Sequence, residues 1–158
     1  MLTSWADELV RALPYPAYQL CTDDFTGRLA NNTNLGAKGI IALEAFAQLC
    51  RLTGAATTDC DRYSKTANDY AQVWMHEARA GTAAPHYKMS YNPVADVNDS
   101  WSIKYNLLWQ KLLKLDGPFP WSKVVPDEVR ALASRRAGCT RGDYWRVGGR
   151  GAREWAHA

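Results

Sequence analysis

The spacing of apolar residues along the chain predicts helices. Between Leu2 and Leu13 the large apolar residues recur every three or four positions, and Ser4 with Asp7 offers a capping-box-like pair. Pro14 follows, and proline disfavours helical backbone at the residue before it. The pattern therefore predicts a first helix over residues 2–13.

The strongest helical pattern begins at Asn31 or Asn32 and runs to about Thr53, just before Gly54. Asparagine is a favoured N-cap, and glycine readily takes the left-handed conformation that ends many helices. Only a narrow polar stripe interrupts the apolar positions, formed by Glu44, Gln48 and Arg51. A helix that is apolar nearly all round must be surrounded by protein, so this segment is predicted to be an inner helix.

The following helical segment, about Asp61 to Arg79, has one apolar stripe and polar residues elsewhere. The stripe consists of Tyr63, Ala67, Tyr70 and Trp74. Such a pattern predicts a surface helix with one buried face.

Two long segments lack either periodicity and are predicted to be loops. Residues 15–30 mix Pro, Gly, Asp and Thr with aromatic residues that favour order. Residues 81–100 contain two prolines, and within them Tyr87 to Tyr91 is a candidate short strand. Long loops in compact domains are usually either functional or disordered.

Two more helices are predicted in the C-terminal half. One resumes near Trp101 and stops at Asp116-Gly117-Pro118. Its predicted buried face consists of Trp101, Tyr105, Leu108, Leu112 and Leu115. The last helix is predicted over residues 126–134, because Pro126 suits the first helical position and the acids Asp127 and Glu128 suit the N-terminal dipole.

These patterns predict an all-α fold of about five helices in two layers, in which apolar and amphipathic helices alternate. An inner helix needs neighbours on both flanks, and five helices supply only a short arc of such layers. The pattern therefore predicts that some neighbours of the inner helix are missing from this sequence.

The composition fits a single globular domain and excludes a disordered or collagen-like chain, since 47% of the 158 residues are apolar and 22% are charged. No run of about 18 apolar residues is present, so no membrane span or membrane partner is expected. The N-terminus lacks a basic start followed by an apolar core, which predicts a chain that stays inside the cell.

The net charge of +3 is distributed unevenly. The last 24 residues carry six arginines against Asp143 and Glu154, an excess of +4, and the rest carries 13 positive against 14 negative residues, or −1. Because a nucleic-acid binder usually clusters its positive charge on a folded face, no nucleic-acid partner is expected.

The four cysteines, Cys21, Cys50, Cys60 and Cys139, form no CxxC pair and lie at no zinc-ligand spacing from a histidine. They are predicted to be buried or unreactive thiols, with a Cys50–Cys60 bridge as the alternative in an oxidising compartment. His76 and His86 lack a neighbouring nucleophile and are predicted to lie at the surface. No metal ion and no cofactor are expected.

Three segments carry a resemblance to a known family. They are Cys21-Thr22-Asp23-Asp24-Phe25-Thr26-Gly27, then Ala30-Asn31-Asn32-Thr33-Asn34-Leu35 with Lys38-Gly39-Ile40, and finally Trp101-Ser102-Ile103-Lys104-Tyr105-Asn106-Leu107 with Lys111-Leu112-Leu113. Tyr63-Ser64, Ala67 and Trp74 fit the same pattern. From about Leu2 to Trp121 the chain resembles the central domain of fungal-type glutaminase A.

This resemblance implies an (α/α)6 toroid, the six-hairpin glycosidase-like architecture, in which inner and outer helices alternate. Twelve helices of about 12 residues with their loops need roughly 200 residues. Residues 1–134 are therefore interpreted as a partial domain that begins inside the family domain. Residues 135–158, rich in Arg and Gly, depart from the family pattern and are interpreted as a divergent or disordered tail, more readily a non-native reading frame than a nucleic-acid tail.

The resemblance also implies an amidohydrolase that converts glutamine to glutamate and ammonia. That reaction requires a base for water, donors for the developing oxyanion, an acid for ammonia and a clamp for the amino-acid end. Asp23 and Asp24 are the predicted catalytic residues, because adjacent carboxylates tend to raise the pKa of one of them. An Asx turn or a helix cap is the alternative for either aspartate.

Six residues are predicted to bind the substrate, namely Asn31, Asn32, Asn34, Trp101, Lys104 and Asn106. The three asparagines stand at the start of the inner helix, where free N–H groups favour an anion such as a carboxylate. Lys104 could pair with Asp23 or Asp24 or clamp a carboxylate. Capping, side-chain packing and a solvated lysine are the structural alternatives.

Three functions remain open at this point. The first is a glutaminase fragment that acts on a small molecule and is inactive alone. The second is a fragment of a six-hairpin carbohydrate-active hydrolase, since paired carboxylates and tryptophan also suit glycosidic bonds. The third is a non-catalytic helical module that self-associates or aggregates through the exposed inner helix. Parents of the family are often secreted, so the compartment stays open.

Overall fold

The structure, a computed structural model, describes residues 1–20, 27–80, 85–91 and 100–138. In these residues the α-helices are α1 (Leu2–Ala12), α2 (Thr33–Leu52), α3 (Thr57–Glu77), α4 (Leu108–Leu112) and α5 (Trp121–Gly138), with a 3-10 helix at Tyr105–Leu107. Four two-residue strands are β1 (Gln19–Leu20), β2 (Arg28–Leu29), β3 (Arg79–Ala80) and β4 (His86–Tyr87). The predicted all-α class is confirmed, whereas closure into a toroid stays an expectation.

Helices α2 and α3 form a hairpin that contains most of the core. Ala37, Ile40 and Leu43 of α2 pack with Ala67 and Trp74 of α3, and all are fully buried. The predicted apolar stripe of α3 is therefore its buried face. This burial supplies most of the driving force for the hairpin, because each large apolar side chain removed from water contributes about 1.5–3 kcal/mol.

A disulfide joins Cys50, near the end of α2, to Cys60, in the first turn of α3. The prediction of free thiols is wrong for this pair, and the bridged alternative is the one observed. The reason is the tight connection between the helices, which brings the two Cα atoms to 5.5 Å. Cys21 and Cys139 lie outside the described residues.

The start of α2 follows the prediction, while the start of α1 does not. Asn32 is the N-cap of α2, and Gly54 takes a left-handed φ of 74° after the helix. At α1 the N-cap is Met1, without a side-chain hydrogen bond, so the predicted Ser4–Asp7 cap is wrong. The Asp7 carboxylate instead accepts a hydrogen bond from the Tyr63 hydroxyl at 2.7 Å and fastens α1 to α3.

One face of α2 is open to solvent along its length. We call it the open stripe, and its residues are Lys38, Ala42, Ala45, Leu49 and Leu52. These positions alternate in steps of four and three, the spacing of a helix-packing seam. Ala45 is half-buried, but Leu49 and Leu52 are 43% and 80% exposed. The prediction that this helix is apolar nearly all round holds for its composition, but within this chain its burial is one-sided.

The predicted helix near Trp101 is shorter than expected, and a face other than the predicted one is buried. Residues 101–104 are not helical, and of the predicted inner face Tyr105, Leu108 and Leu112 are exposed. The buried positions of the two short helices are instead Leu107 and the amides of Asn106 and Gln110. The Gln110 side chain donates to the Phe119 carbonyl at 2.7 Å and accepts the Phe119 N–H at 2.9 Å. Amide side chains that pair with buried backbone groups therefore take the place of apolar ones.

The last helix begins earlier than Pro126, so the prediction that this proline opens it is wrong. The Pro120 carbonyl accepts the N–H groups of Lys123 and Val124 at 2.9 and 3.0 Å and starts the helix at Trp121. Val124 and Ala131 are buried on the inner face and offset the hydrogen bond that Pro126 removes. The helix reaches Gly138; residues 139–158 lie outside the described part, so the tail stays a prediction.

β1 and β2 lie within the first predicted loop and β4 lies within the second, whereas β3 directly precedes the second loop, at the end of the segment predicted to be helical. β1 and β2 pair antiparallel, with Gln19 opposite Leu29, and β3 and β4 pair with Arg79 opposite Tyr87. Of the candidate strand Tyr87 to Tyr91, only Tyr87 lies in a strand. His86 is buried, so its prediction as a surface residue is wrong, whereas His76 is exposed. None of the described helices is long and apolar enough to cross a membrane.

Candidate functional site

The first turn of α2 is attached to the segment that follows β4. The Thr33 N–H donates to the Met89 carbonyl at 3.0 Å, and the Thr33 hydroxyl donates to the Lys88 carbonyl at 2.5 Å. On the opposite side the Trp74 indole N–H donates to the Thr33 carbonyl at 2.7 Å. A fully buried threonine thus connects α2, α3 and residues 88–89 at the point where the predicted site residues begin.

Asn31 contributes through its backbone. Its φ of 56° lies in the left-handed region, which asparagine tolerates better than most residues. Its N–H donates to the Pro16 carbonyl at 2.7 Å, and its carbonyl accepts the Tyr91 N–H at 3.1 Å. Asn31 therefore turns the chain from β2 into the helix; contact with a substrate stays a prediction.

Asn32 caps the helix with the oxygen of its side-chain amide, and the cap does not use the amide nitrogen. Its Oδ1 accepts the Leu35 N–H at 2.8 Å. The residue is 1% exposed, and its Nδ2 has no hydrogen-bond partner within the described structure. The predicted capping role is confirmed, and a buried N–H donor is left over.

Asn34 and Asn106 are brought together, although 72 positions separate them. The Asn34 Oδ1 accepts the Asn106 N–H at 3.1 Å, and the Asn106 Nδ2 donates to the Asn34 carbonyl at 3.2 Å. Asn34 is 1% exposed, and in the described part of the chain its Nδ2 lacks a partner as well.

The helix start therefore holds two buried amide donors that find no acceptor among the residues the structure describes. Leaving a buried donor unpaired costs about 1–3 kcal/mol, so such a group calls for a ligand or a water molecule. The positive end of the helix dipole favours a carboxylate or carbonyl oxygen here. Asn32, as the N-cap, and Asn34, in the first turn, each contribute one of these donors. Each donor can serve a different part of a ligand.

A buried tyrosine adjoins this turn. Tyr91 is 6% exposed, and a Cβ built on Gly36 would lie 2.9 Å from its hydroxyl oxygen. Burial, with smaller contributions from Tyr15 and Glu77, raises the pKa of the Tyr91 hydroxyl well above its ordinary value. The hydroxyl is therefore neutral at neutral pH, and only a glycine at position 36 leaves room for it.

Lys104 is buried rather than solvated, at 5% exposed. Its Nζ donates to the carbonyls of Tyr87 at 2.9 Å and Ser102 at 2.7 Å. The same Nζ lies 5.9 Å from the centre of the Trp101 ring, within the range of a cation–π contact. The structure thus brings Lys104 next to Trp101 and engages its ammonium with backbone oxygens, so the alternative of a solvated lysine is wrong.

Trp101 is held by an acid that the sequence analysis did not place in the site. Its indole N–H donates to Oε2 of Glu128 at 2.9 Å, and Oε1 of the same carboxylate accepts the Tyr87 N–H at 3.1 Å. Glu128 was predicted only as a residue favourable to the helix dipole. The available signal was its position on α5, four residues after Val124 and three before Ala131, which puts it beside the buried face.

The predicted catalytic residues Asp23 and Asp24 lie outside the described residues. The strands on either side of them are described, and the last pair of that ladder joins Leu20 to Arg28. The described residues on either side of both aspartates therefore include the pair Leu20 and Arg28, and Arg28 precedes Asn31 by three positions. In the described residues no group of three or more His, Cys, Asp or Glu side chains could hold a metal ion.

Comparison with known proteins identifies the family. Residues 1–131 match the family described as the glutaminase A six helical-hairpin domain. The chain is 38% identical over 130 residues to glutaminase A of Aspergillus oryzae, which covers 82% of this chain and 17% of that protein. It is 39% identical over 118 residues to a probable glutaminase of Arthroderma benhamiae, which covers 72% of this chain and 13% of that protein.

No solved structure matches the chain. The chain spans less than a fifth of the length of these two curated relatives. The family match nevertheless covers all of the described helices except the end of α5, and it includes each of the six predicted binding residues. The chain belongs to the glutaminase A six helical-hairpin domain family.

Proposed function

We propose that this chain contributes to a site that hydrolyses the side-chain amide of glutamine to glutamate and ammonia. The observation that carries the proposal is a pair of buried amide donors at the start of α2, Asn32 Nδ2 and Asn34 Nδ2, which have no partner in the described ranges of this glutaminase A family member. Glutamine offers an amide carbonyl at one end and a carboxylate at the other. Both are acceptors that such donors suit.

The reaction adds water to the amide carbon, forms a C–O bond and then breaks the C–N bond. Negative charge develops on the carbonyl oxygen in the transition state, and a fixed N–H donor at that oxygen lowers the barrier. In our proposal Asn32 donates to this oxygen, and Asn34, with the helix dipole, holds the substrate carboxylate.

Asp23 and Asp24 are proposed as the acid–base pair. One carboxylate accepts the proton of the attacking water, and the other, in its protonated form, gives a proton to the departing ammonia. This assignment rests on the motif alone, since both residues lie outside the described part of the chain.

Asn106, Lys104 and Trp101 are proposed to support the site. The two hydrogen bonds from Asn106 fix the Asn34 side chain so that its Nδ2 keeps one direction. Lys104 and Trp101 precede Asn106 in the same segment. Contact of either residue with a substrate stays a prediction.

We also propose that the chain alone is inactive. A six-hairpin domain contains twelve helices, and the curated relatives are more than five times longer than the aligned segment. The open stripe of α2 has the spacing of a helix–helix contact, which suits a neighbouring helix of the same domain. A site formed by inner helices needs those neighbours to exclude water.

The test is an exchange chimera in which residues 1–131 replace the aligned segment of the Aspergillus oryzae glutaminase A. We expect the chimera to release ammonia from glutamine and the isolated chain to release none. Replacing both aspartates, Asp23→Asn with Asp24→Asn, should abolish the activity, whereas Asp116→Asn, at an exposed position, should not.

Four results would contradict parts of the proposal. A folded chimera that leaves glutamine intact, or one that cleaves glycans instead, would remove the substrate assignment. Undiminished activity without the two aspartates would remove the catalytic assignment. Ammonia release by the purified chain itself would remove the claim of inactivity.

A further inference from the structure

Glu128 connects two elements that border the candidate site. Its carboxylate, carried by α5, accepts the Trp101 indole N–H with one oxygen and the Tyr87 N–H with the other, at 2.9 and 3.1 Å. An ionised carboxylate accepts such bonds more strongly than a neutral oxygen does. Both donors are therefore fixed relative to α5.

Trp101 and Tyr87, the two residues that donate to Glu128, also contact Lys104. The Lys104 ammonium donates to the Tyr87 carbonyl at 2.9 Å and lies 5.9 Å from the Trp101 ring centre. Glu128, Trp101, Lys104 and Tyr87 thus form a closed circuit of contacts. A shift of Glu128 would be transmitted to Lys104 along both branches.

Lys104 is in turn the residue from which the 3-10 helix starts. Its carbonyl accepts the Leu107 N–H at 3.0 Å, which fixes the turn that carries Asn106. Asn106 then makes its two hydrogen bonds to Asn34. The contacts that start at Glu128 therefore reach Asn34, whose Nδ2 is one of the two amide donors without a partner in the described residues.

The neighbouring acid on α5 does not share this role. Asp127 is directed to arginines, with Arg79 at 3.1 Å and Arg130 at 3.4 Å from its two oxygens. Glu128 is thus the α5 carboxylate shown to accept the Trp101 indole, and Asp127 fastens the same helix to β3.

We propose that Glu128 is a positioning residue of the site: through Trp101 and the Tyr87 peptide it fixes Lys104, and thereby the turn that presents Asn106 to Asn34. The relevance of Asn34 to a substrate rests on the proposed function. The positioning itself is a property of the chain and is measured without substrate.

The experiment uses the full chain labelled with 15N and compares Glu128→Ala, Glu128→Gln and the control Glu8→Ala, which removes an exposed carboxylate on α1. The Trp101 indole signal, assigned with Trp101→Phe, reports the contact with the carboxylate. Hydrogen exchange of the Asn106 N–H, relative to the Ile40 N–H in the core, reports the turn.

We expect Glu128→Ala to shift the indole signal and to speed Asn106 exchange roughly tenfold relative to Ile40, since loss of a local anchor promotes local opening. Glu128→Gln keeps one acceptor oxygen and should restore part of both effects. Glu8→Ala should change neither. A general loss of stability would speed both amides alike and would overturn the proposal.

An unchanged indole signal and unchanged Asn106 exchange would overturn it too. If Glu128→Ala does not fold, Glu128→Gln decides by the same two readouts: a partial shift with faster Asn106 exchange supports the proposal, and wild-type values contradict it. The outcome is independent of glutamine, so an inactive chimera with a confirmed Glu128 effect would refute only the proposed function.

Discussion

The side chain of Asn106 donates to the carbonyl of Asn34 at 3.2 Å while its own N–H donates to the Asn34 side chain at 3.1 Å. These two hydrogen bonds, both donated by Asn106, join the first turn of α2 to the 3-10 helix. Both residues are almost fully buried. The contact therefore links two of the three sequence motifs that identify the family.

Asn106→Ala removes one of these hydrogen bonds and leaves the Asn34 carbonyl without that donor. We expect the free energy of unfolding to fall by about 1–3 kcal/mol, the cost of an unsatisfied buried group. Urea denaturation should show a lower midpoint with an unchanged slope. Asn68→Ala is the matched control, because this exposed asparagine donates to the Ser64 carbonyl of its own helix and not to a distant element. Equal losses for both variants would contradict the inference.

Reduction of the Cys50–Cys60 disulfide should destabilise the α2–α3 hairpin. The bridge spans 10 positions, and closing a loop of this length in the unfolded chain is worth about 2–3 kcal/mol. We expect dithiothreitol to lower the melting temperature by about 5–10 °C. The Cys50→Ala/Cys60→Ala double variant should melt at the lower temperature with or without reductant; a reductant effect that persists in it would refute this explanation.

Acid should weaken the contact between α1 and α3. The hydrogen bond from Tyr63, followed by the charge of Arg62, lowers the pKa of the Asp7 carboxyl below its ordinary value. A carboxyl with a lowered pKa in the folded state stabilises the protein above about pH 4, and this contribution is lost as the pH falls through the lowered pKa. Chemical denaturation between pH 6 and 2 should therefore show a shallower loss of stability for Asp7→Asn.

Asp116→Asn, at an exposed position, is the control for the acid experiment. It should follow the wild-type curve. If the free energy of unfolding of Asp7→Asn falls with pH in parallel with that of the wild type, protonation of Asp7 does not weaken the folded protein, and the prediction is wrong.

Local rules predict the long helices well. Asn32 and Gly54 mark the two ends of α2 by side-chain capping and left-handed backbone, and Tyr63 to Trp74 forms the buried stripe of α3 by periodicity alone. In these places the local preference of the sequence and the tertiary packing agree.

The segment around Trp101 shows where local rules fail. Asn106 faces the interior because it pairs with Asn34, which is distant in sequence. Gln110 faces the interior because it pairs with Phe119, which follows a turn. The periodicity of apolar residues reveals neither partner. Lys104 is buried for the same reason. For the site, the motifs identify the correct segments, but the role of Glu128 depends on the packing of α5, which the sequence pattern misplaces.

The most direct test of the account is the value of kcat/KM for glutamine in the chimera that carries Asn32→Ser. Serine retains the N-cap acceptor, so the melting temperature should stay unchanged, while the buried Nδ2 donor is lost. We predict a decrease of about 100-fold or more, typical of the loss of one oxyanion donor, and no change for the control Asn68→Ser. A kcat/KM for Asn32→Ser close to that of the unaltered chimera would show that the Asn32 amide does not stabilise the transition state.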